Sequence, residues 1–137
     1  MIDAGGKIVT VAPANEYWQI GINQLREKNK TIATSIRLIN QAVSTSGDTF
    51  QFFIYNGHRY SHIINPLSGY GIEIPKNVTV IASNGVTADW LSTACSLLSI
   101  NASLQLAAKY NAQILIAVQK GKTIQYFKSK GFDAYLN

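Results

Sequence analysis

Apolar positions along this chain change their spacing twice, and the changes divide it into three stretches. Up to about residue 82 they alternate with polar positions or gather in short β-branched runs, as half-buried and buried strands do. Residues 8–11 are one such run, residues 17–22 (YWQIGI) alternate, and Pro13, Ala14 and Asn15 between them predict a turn. Residues 24–30 are polar and charged and read as an exposed loop. Residues 31–44 fit neither period cleanly; their Thr and Ile content favours extended structure, with helix as the alternative. The five small or polar residues at 44–48 read as a loop.

Asn56-Gly57 lies between two apolar-rich runs, residues 49–55 and 58–64, and predicts a tight hairpin because both residues tolerate positive φ. A turn-rich loop follows at residues 65–71, then a buried strand at residues 77–82 (NVTVIA) ended by Ser83-Asn84-Gly85. From Thr87, a suitable N-cap, Trp90, Leu91, Ala94, Cys95, Leu97 and Leu98 recur at helical spacing and predict a helix to about Leu98. Asn101 would cap a second helix through Ala108. Residues 113–118 and 123–127, joined by a Lys120-Gly121-Lys122 turn, form another hairpin. Strands interrupted by two consecutive helices imply an α+β fold, with both helices on one face of a largely antiparallel sheet.

With 137 residues there is room for one domain and one core. Apolar residues at 47% and charged residues at 14% exclude a disordered chain. The net charge of +5 is scattered rather than blocked, so it does not argue for nucleic acid. No apolar run approaches the roughly 18 to 20 residues of a membrane helix. The start carries an acid and two glycines where a secretory leader would be basic and then apolar. Cys95 is the single cysteine, so no internal disulfide can form, and it reads as a small buried apolar residue.

Chemistry concentrates in few places. Asp89 and Thr93 are four apart on the predicted helix, which puts a carboxylate and a hydroxyl on one face. One reading is a capping carboxylate in the first helical turn. The other is a hard-cation site, since Mg²⁺ needs only one or two carboxylates when a ligand supplies phosphate oxygens; Ser92 would add its carbonyl or hydroxyl. His62, at the end of the hairpin, is either a satisfied polar group or a general acid or base near neutral pH, and His58 beside the turn reads as exposed. Gly5-Gly6 and Ser46-Gly47-Asp48 are places where backbone can approach a ligand. The nucleotide-loop strings GxGxxG and GxxxxGK[ST] are absent. Trp18, Trp90 and the seven tyrosines read as core or sheet-face residues.

Six blocks in order carry a resemblance that no single one would: IDAGGKI from Ile2, YWQIGI from Tyr17, VSTSGD from Val43, YSHIINPLSG from Tyr60, VTVIA from Val78 and ADWLSTA from Ala88. Together they resemble the ApbE family of FAD:protein FMN transferases, also called thiamine-biosynthesis lipoproteins. The resemblance implies an enzyme that cleaves FAD with Mg²⁺, releases AMP and leaves FMN on a Thr or Ser hydroxyl of a target flavoprotein. It implies a metal held by Asp89 and Thr93, with a backbone carbonyl at Ser92. It also implies that His62, with Ile63 beside it, lies against the flavin and assists transfer; with Gly5 and Gly6 these form the expected FAD contacts.

The family's histidine block usually reads His-x-x-Asp-Pro with a later Thr-Gly, whereas here Asn65 precedes Pro66 and Ser68 precedes Gly69. A further family block, with an Asp, a small residue whose carbonyl reaches the metal, and Lys-Gly, has no match. The chain therefore resembles the C-terminal half of the family fold. Two expectations follow: a transferase domain completed by an N-terminal half or a second copy, or a non-catalytic flavin-, nucleotide- or protein-binding remnant of the fold. By the same resemblance the compartment is extracytoplasmic, with a membrane anchor on the full-length protein.

Overall fold

A computed structural model describes residues 1–22, 34–47 and 52–136. Six strands make one sheet in the order β1 (Ile2–Asp3), β2 (Lys7–Val9), β5 (Ala42–Gly47), β8 (Lys76–Ala82), β9 (Gln113–Lys120) and β10 (Thr123–Lys128). Every neighbouring pair is antiparallel. Two further antiparallel pairs stand apart from it, β3 (Trp18–Ile22) with β4 (Thr34–Leu38), and β6 (Phe52–Tyr55) with β7 (His58–Ser61). Helices α1 (Gly85–Leu97) and α2 (Ile100–Lys109) follow one another between β8 and β9. The expected α+β class, with its antiparallel sheet and two consecutive helices, is what the chain adopts.

The sheet is covered on both faces, which is why β8 reads as a near-continuous apolar run. On one face Val78, Val80 and Ala82 of β8, with Ile114 and Ile116 of β9, meet Ala88, Leu91 and Cys95 of α1 and Ala107 of α2. On the other, Val43, Ile81 and Leu115 pack against Ile20, Ile22, Ile36 and Leu38 of the β3-β4 pair and against Phe132. Phe132 comes from a 3-10 turn (Phe132–Tyr135) after β10 and is fully buried.

Several predicted boundaries shift for identifiable reasons. Residues 44–47 are not a loop but the second half of β5, paired to β8 from Ser44↔Val80 to Gly47↔Asn77. Small polar residues are retained inside the sheet because their side chains pair with one another: Thr45 Oγ1 lies 2.8 Å from Thr79 Oγ1 on the neighbouring strand. The Asn77 side chain fills the space beside Gly47, where a Cβ would stand 1.9 Å from Asn77 Oδ1 and displace it. Residues 34–38 and 42–44 are extended rather than helical. The expected loop at residues 24–30, Asp48 and the first part of the run at residues 49–55 lie outside the described residues.

Helix α1 begins earlier than Thr87. Asn84 is its N-cap, accepting the Thr87 N–H at 2.9 Å. Ser99 rather than Asn101 caps α2, accepting the Ala102 N–H at 3.3 Å. At the other end of α1 the Lys76 ammonium donates to the carbonyls of Cys95 at 2.5 Å and Leu98 at 2.7 Å, satisfying groups that a helix C-terminus leaves unpaired. Burial holds the Lys76 pKa below its usual value and pushes the Cys95 thiol above its own.

The Asn56-Gly57 turn is as expected, with φ of 49° and 78°. The loop after β7 is folded back on itself. Ser61 N–H donates to Ile72 O at 3.0 Å, Ile72 N–H to Ile63 O at 3.1 Å, and Ile63 N–H to Ser61 Oγ at 3.0 Å.

The aromatic ring of Phe132 fills the second core, so Phe132→Ala should cost about 3–5 kcal/mol of unfolding free energy. Urea denaturation followed by circular dichroism measures it, and a loss below about 1 kcal/mol would show that the site can collapse around the gap.

Candidate functional site

A cleft of about 410 Å³ opens where the glycine turn before β2, the inner strand β5, the end of β3 and one face of α1 converge. Its chemistry is set by how α1 sits on β5. Because α1 starts at Gly85, Asp89 lies in the second turn and not the first. Its carboxylate is therefore no cap, a role Asn84 fills, and it projects half-exposed over β5. Asp89 Oδ1 accepts from Ser44 Oγ at 3.5 Å and faces Lys7 Nζ at 3.7 Å. Lys7 and Ser44 are directly paired residues of β2 and β5, so their side chains rise from the same face of the sheet beneath the carboxylate.

Thr93 stands one turn further along α1, exposed, with its hydroxyl donating to the Asp89 carbonyl at 3.3 Å. Ser92 is fully buried; its hydroxyl donates to the Asp89 carbonyl at 2.8 Å and lies 3.3 Å from Ser44 Oγ. The Ser92 carbonyl accepts from Ser96 Oγ at 3.0 Å and so points down the helix. The Ser92 hydroxyl ties the Asp89 backbone to β5 through Ser44.

Gly5 and Gly6 line the same cleft in left-handed conformation, φ 68° and 89°, which glycine adopts at no steric cost. Asp3 Oδ1 accepts the Gly6 N–H at 2.9 Å and closes the turn. No atom lies within 4 Å of where a Cβ on either glycine would stand, so ligand atoms can reach this backbone.

His62 is exposed at the far side of this cleft and also lines a second, apolar groove of about 480 Å³ walled by Phe53, Tyr55, Tyr60 and Tyr70. Phe53 and Tyr60 stack with ring centres 5.4 Å apart. These tyrosines were expected in the core or on a sheet face; Tyr55 and Tyr70 are instead exposed around the groove. Ile63 is buried and lines neither space, so its contribution is to anchor the loop that carries His62. Asn65 does structural work: its Oδ1 accepts the Leu67 N–H at 2.9 Å, an Asx turn that a carboxylate would make equally well. The exchange of Asp for Asn there keeps the loop's shape.

Six of the seven residues expected in the site thus line one cleft: Gly5, Gly6, His62, Asp89, Ser92 and Thr93. Lys7 and Ser44 belong to it as well and were not anticipated; the clue in the sequence was the position of Lys7 directly after the glycine pair. As a donor set for a metal, the carboxylate and hydroxyls are hard oxygen ligands suited to Mg²⁺. No three His, Cys, Asp or Glu side chains gather anywhere among the described residues. An ion here would rest on Asp89 and a hydroxyl, with ligand phosphate and water completing its shell, an arrangement Mg²⁺ accepts and Zn²⁺ does not favour.

The chain is similar to known proteins over nearly its whole length. The chain is 31% identical over 139 residues to a FAD:protein FMN transferase of Haemophilus influenzae, covering 98% of this chain and 39% of that protein. It is 27% identical over 140 residues to the enzyme of the same name from Vibrio cholerae, covering 100% of this chain and 42% of the relative. It superimposes on the crystal structure of an ApbE protein from Thermotoga maritima with a TM-score of 0.79 and 29% identity, over 98% of this chain and 44% of the other. The flavinyl transferase ApbE of Pseudomonas stutzeri, in its apo form, aligns with a TM-score of 0.74 and 32% identity, over 96% and 42%. The chain therefore spans about two fifths of the length of these relatives. The family model of ApbE matches residues 1–116, and with the fold shared as well the chain belongs to the ApbE family.

Proposed function

We propose that this chain is the part of a FAD:protein FMN transferase that holds the diphosphate of FAD and activates the acceptor hydroxyl. The observation that carries the reading is the single cleft joining Asp89, Thr93, the open Gly5-Gly6 backbone and His62. The glycine turn would receive the diphosphate, and Asp89 and Thr93 would hold Mg²⁺. Bound there, the ion would neutralise charge on the phosphate oxygens and on the departing AMP. His62, in its neutral form, accepts the proton of a Thr or Ser hydroxyl on the target flavoprotein. The hydroxyl oxygen forms a bond to the FMN phosphorus, the bridging P–O bond breaks, and its electron pair leaves with AMP.

A chain two fifths the length of its relatives supplies only part of such a cleft. The remaining wall would come from an N-terminal segment or from a second copy of this chain. From the family resemblance alone, we propose that the full protein works outside the cytoplasm on a lipid anchor. A second reading is favoured by the Lys7–Asp89 ion pair, which sets an ammonium beside the carboxylate where a metal would stand: a domain that binds flavin or nucleotide without catalysing transfer.

The test is to incubate the chain, alone and together with the N-terminal portion of a relative, with FAD, Mg²⁺ and a target carrying an acceptor threonine. Covalent flavin fluorescence on the denatured target is the expected result. His62→Ala should slow transfer about 10²-fold or more, the share ordinarily carried by a general base, and Asp89→Asn should remove the dependence on Mg²⁺. FAD binding that calorimetry finds indifferent to Mg²⁺, with no transfer in either mixture, would leave the binding domain as the correct reading.

The loop carrying His62 offers a separate check. A Cβ on Gly71 would stand 2.3 Å from the Ser61 carbonyl oxygen and 3.1 Å from the Ser61 nitrogen, backbone atoms that cannot swing aside. Gly71→Ala should displace the His62 imidazole resonances in an NMR spectrum and lower transfer, while the amide signals of β8 and β9 hold their positions. Unmoved His62 signals would mean that the loop does not position the imidazole.

A further inference from the structure

We infer that Lys7 is the resident counter-cation of Asp89, and that it exchanges this carboxylate for the substrate's diphosphate when a divalent ion arrives. The inference rests on the proposed function above and adds a residue to it. Lys7 Nζ stands 3.7 Å from Asp89 Oδ1, the oxygen that also accepts from Ser44 Oγ. A metal on that oxygen and the ammonium cannot both occupy the same side of it, since two cations in contact repel. Both side chains of the pair are about half exposed, 53% for Lys7 and 44% for Asp89, so the pair is weak and easily parted.

The displaced ammonium has somewhere to go. Lys7 directly follows Gly6, and both glycines and Lys7 line the cleft, so a four-carbon stem starting at the glycine turn reaches the space in front of it. There an ammonium is a mobile point charge suited to phosphate oxygens. In the resting protein Lys7 keeps Asp89 from standing as an uncompensated charge over the buried Ser44 and Ser92. In the loaded protein two positive charges, ion and ammonium, face the diphosphate.

The measurement is binding, not turnover. Mn²⁺ binding to the intact, nucleotide-free chain, read from the free-ion signal in electron paramagnetic resonance, should be lost in Asp89→Asn. It should tighten about two- to fivefold in Lys7→Met, the range of an exposed ion pair, and stay at the wild-type level in Lys7→Arg. Added salt should narrow the gap between wild type and Lys7→Met. ADP without metal should bind about two- to fivefold more weakly to Lys7→Met, again the scale of one exposed charge contact. Lys7→Gln repeats both measurements with a shorter neutral side chain should the Met variant misfold.

Equal Mn²⁺ affinity in wild type and both neutral variants, or unchanged ADP affinity in them, overturns the exchange. If Mn²⁺ binding still requires Asp89 in that case, the metal reading of Asp89 stands without Lys7. Should the Mn²⁺ and ADP responses appear as expected while no flavin is transferred, the exchange stands and the transferase reading falls. Failure of the wild-type chain and every Lys7 variant to bind Mn²⁺ overturns both the exchange and the metal site.

Discussion

Helix α1 is seated on β5 and β8, and its height above the sheet decides what the site can hold. Ala88, Leu91 and Cys95 bring apolar contact to the sheet, and between them Ser92 meets Ser44 at 3.3 Å. Small side chains at this crossing let helix and strand approach closely, and paired hydroxyls make the approach possible without stranding a polar group in the core. A larger residue at either position would lift the helix and carry Asp89 away from Lys7 and the glycine turn. The site thus depends less on the strength of any one polar contact than on the thinness of one packing layer.

The cleft and the aromatic groove differ in chemistry and share one residue. The first is built of carboxylate, hydroxyls, an ammonium and open backbone; the second of stacked rings around Tyr60. Only His62 faces both, among the residues described. A side chain at such a junction can serve a charged group on one side and an apolar one on the other, and the hydrogen-bonded loop from Ser61 to Ile72 fixes where it stands.

Much of the fold was legible because local and tertiary preferences agree. Asn56-Gly57 specifies its turn through φ alone, and the helical recurrence catches Leu91 and Cys95, which α1 buries, while Trp90 and Leu98 of the same pattern stay exposed. Residues 44–47 were misread because Ser, Thr and Gly favour loops by composition. What makes them a strand is long-range: the ladder to β8, the Thr45–Thr79 contact and the packing of the Asn77 side chain against Gly47. The site followed the same division. Asp89 and Thr93 could be matched because helical spacing puts them together, whereas Lys7 and Ser44 reach Asp89 only through the pairing of β2 with β5, which no local pattern announces.

The lone thiol of Cys95 is interred where α1 and α2 meet, beside the Ser103 carbonyl at 3.8 Å, with its pKa raised by burial. Thiolate is the form that reacts, and here it is disfavoured as well as out of reach. In surroundings that oxidise sulfur, a chain with one accessible cysteine would crosslink to its neighbours or climb the sulfenic and sulfinic ladder. Folding by itself spares Cys95 that fate, so this thiol is insulated from the redox poise of its surroundings.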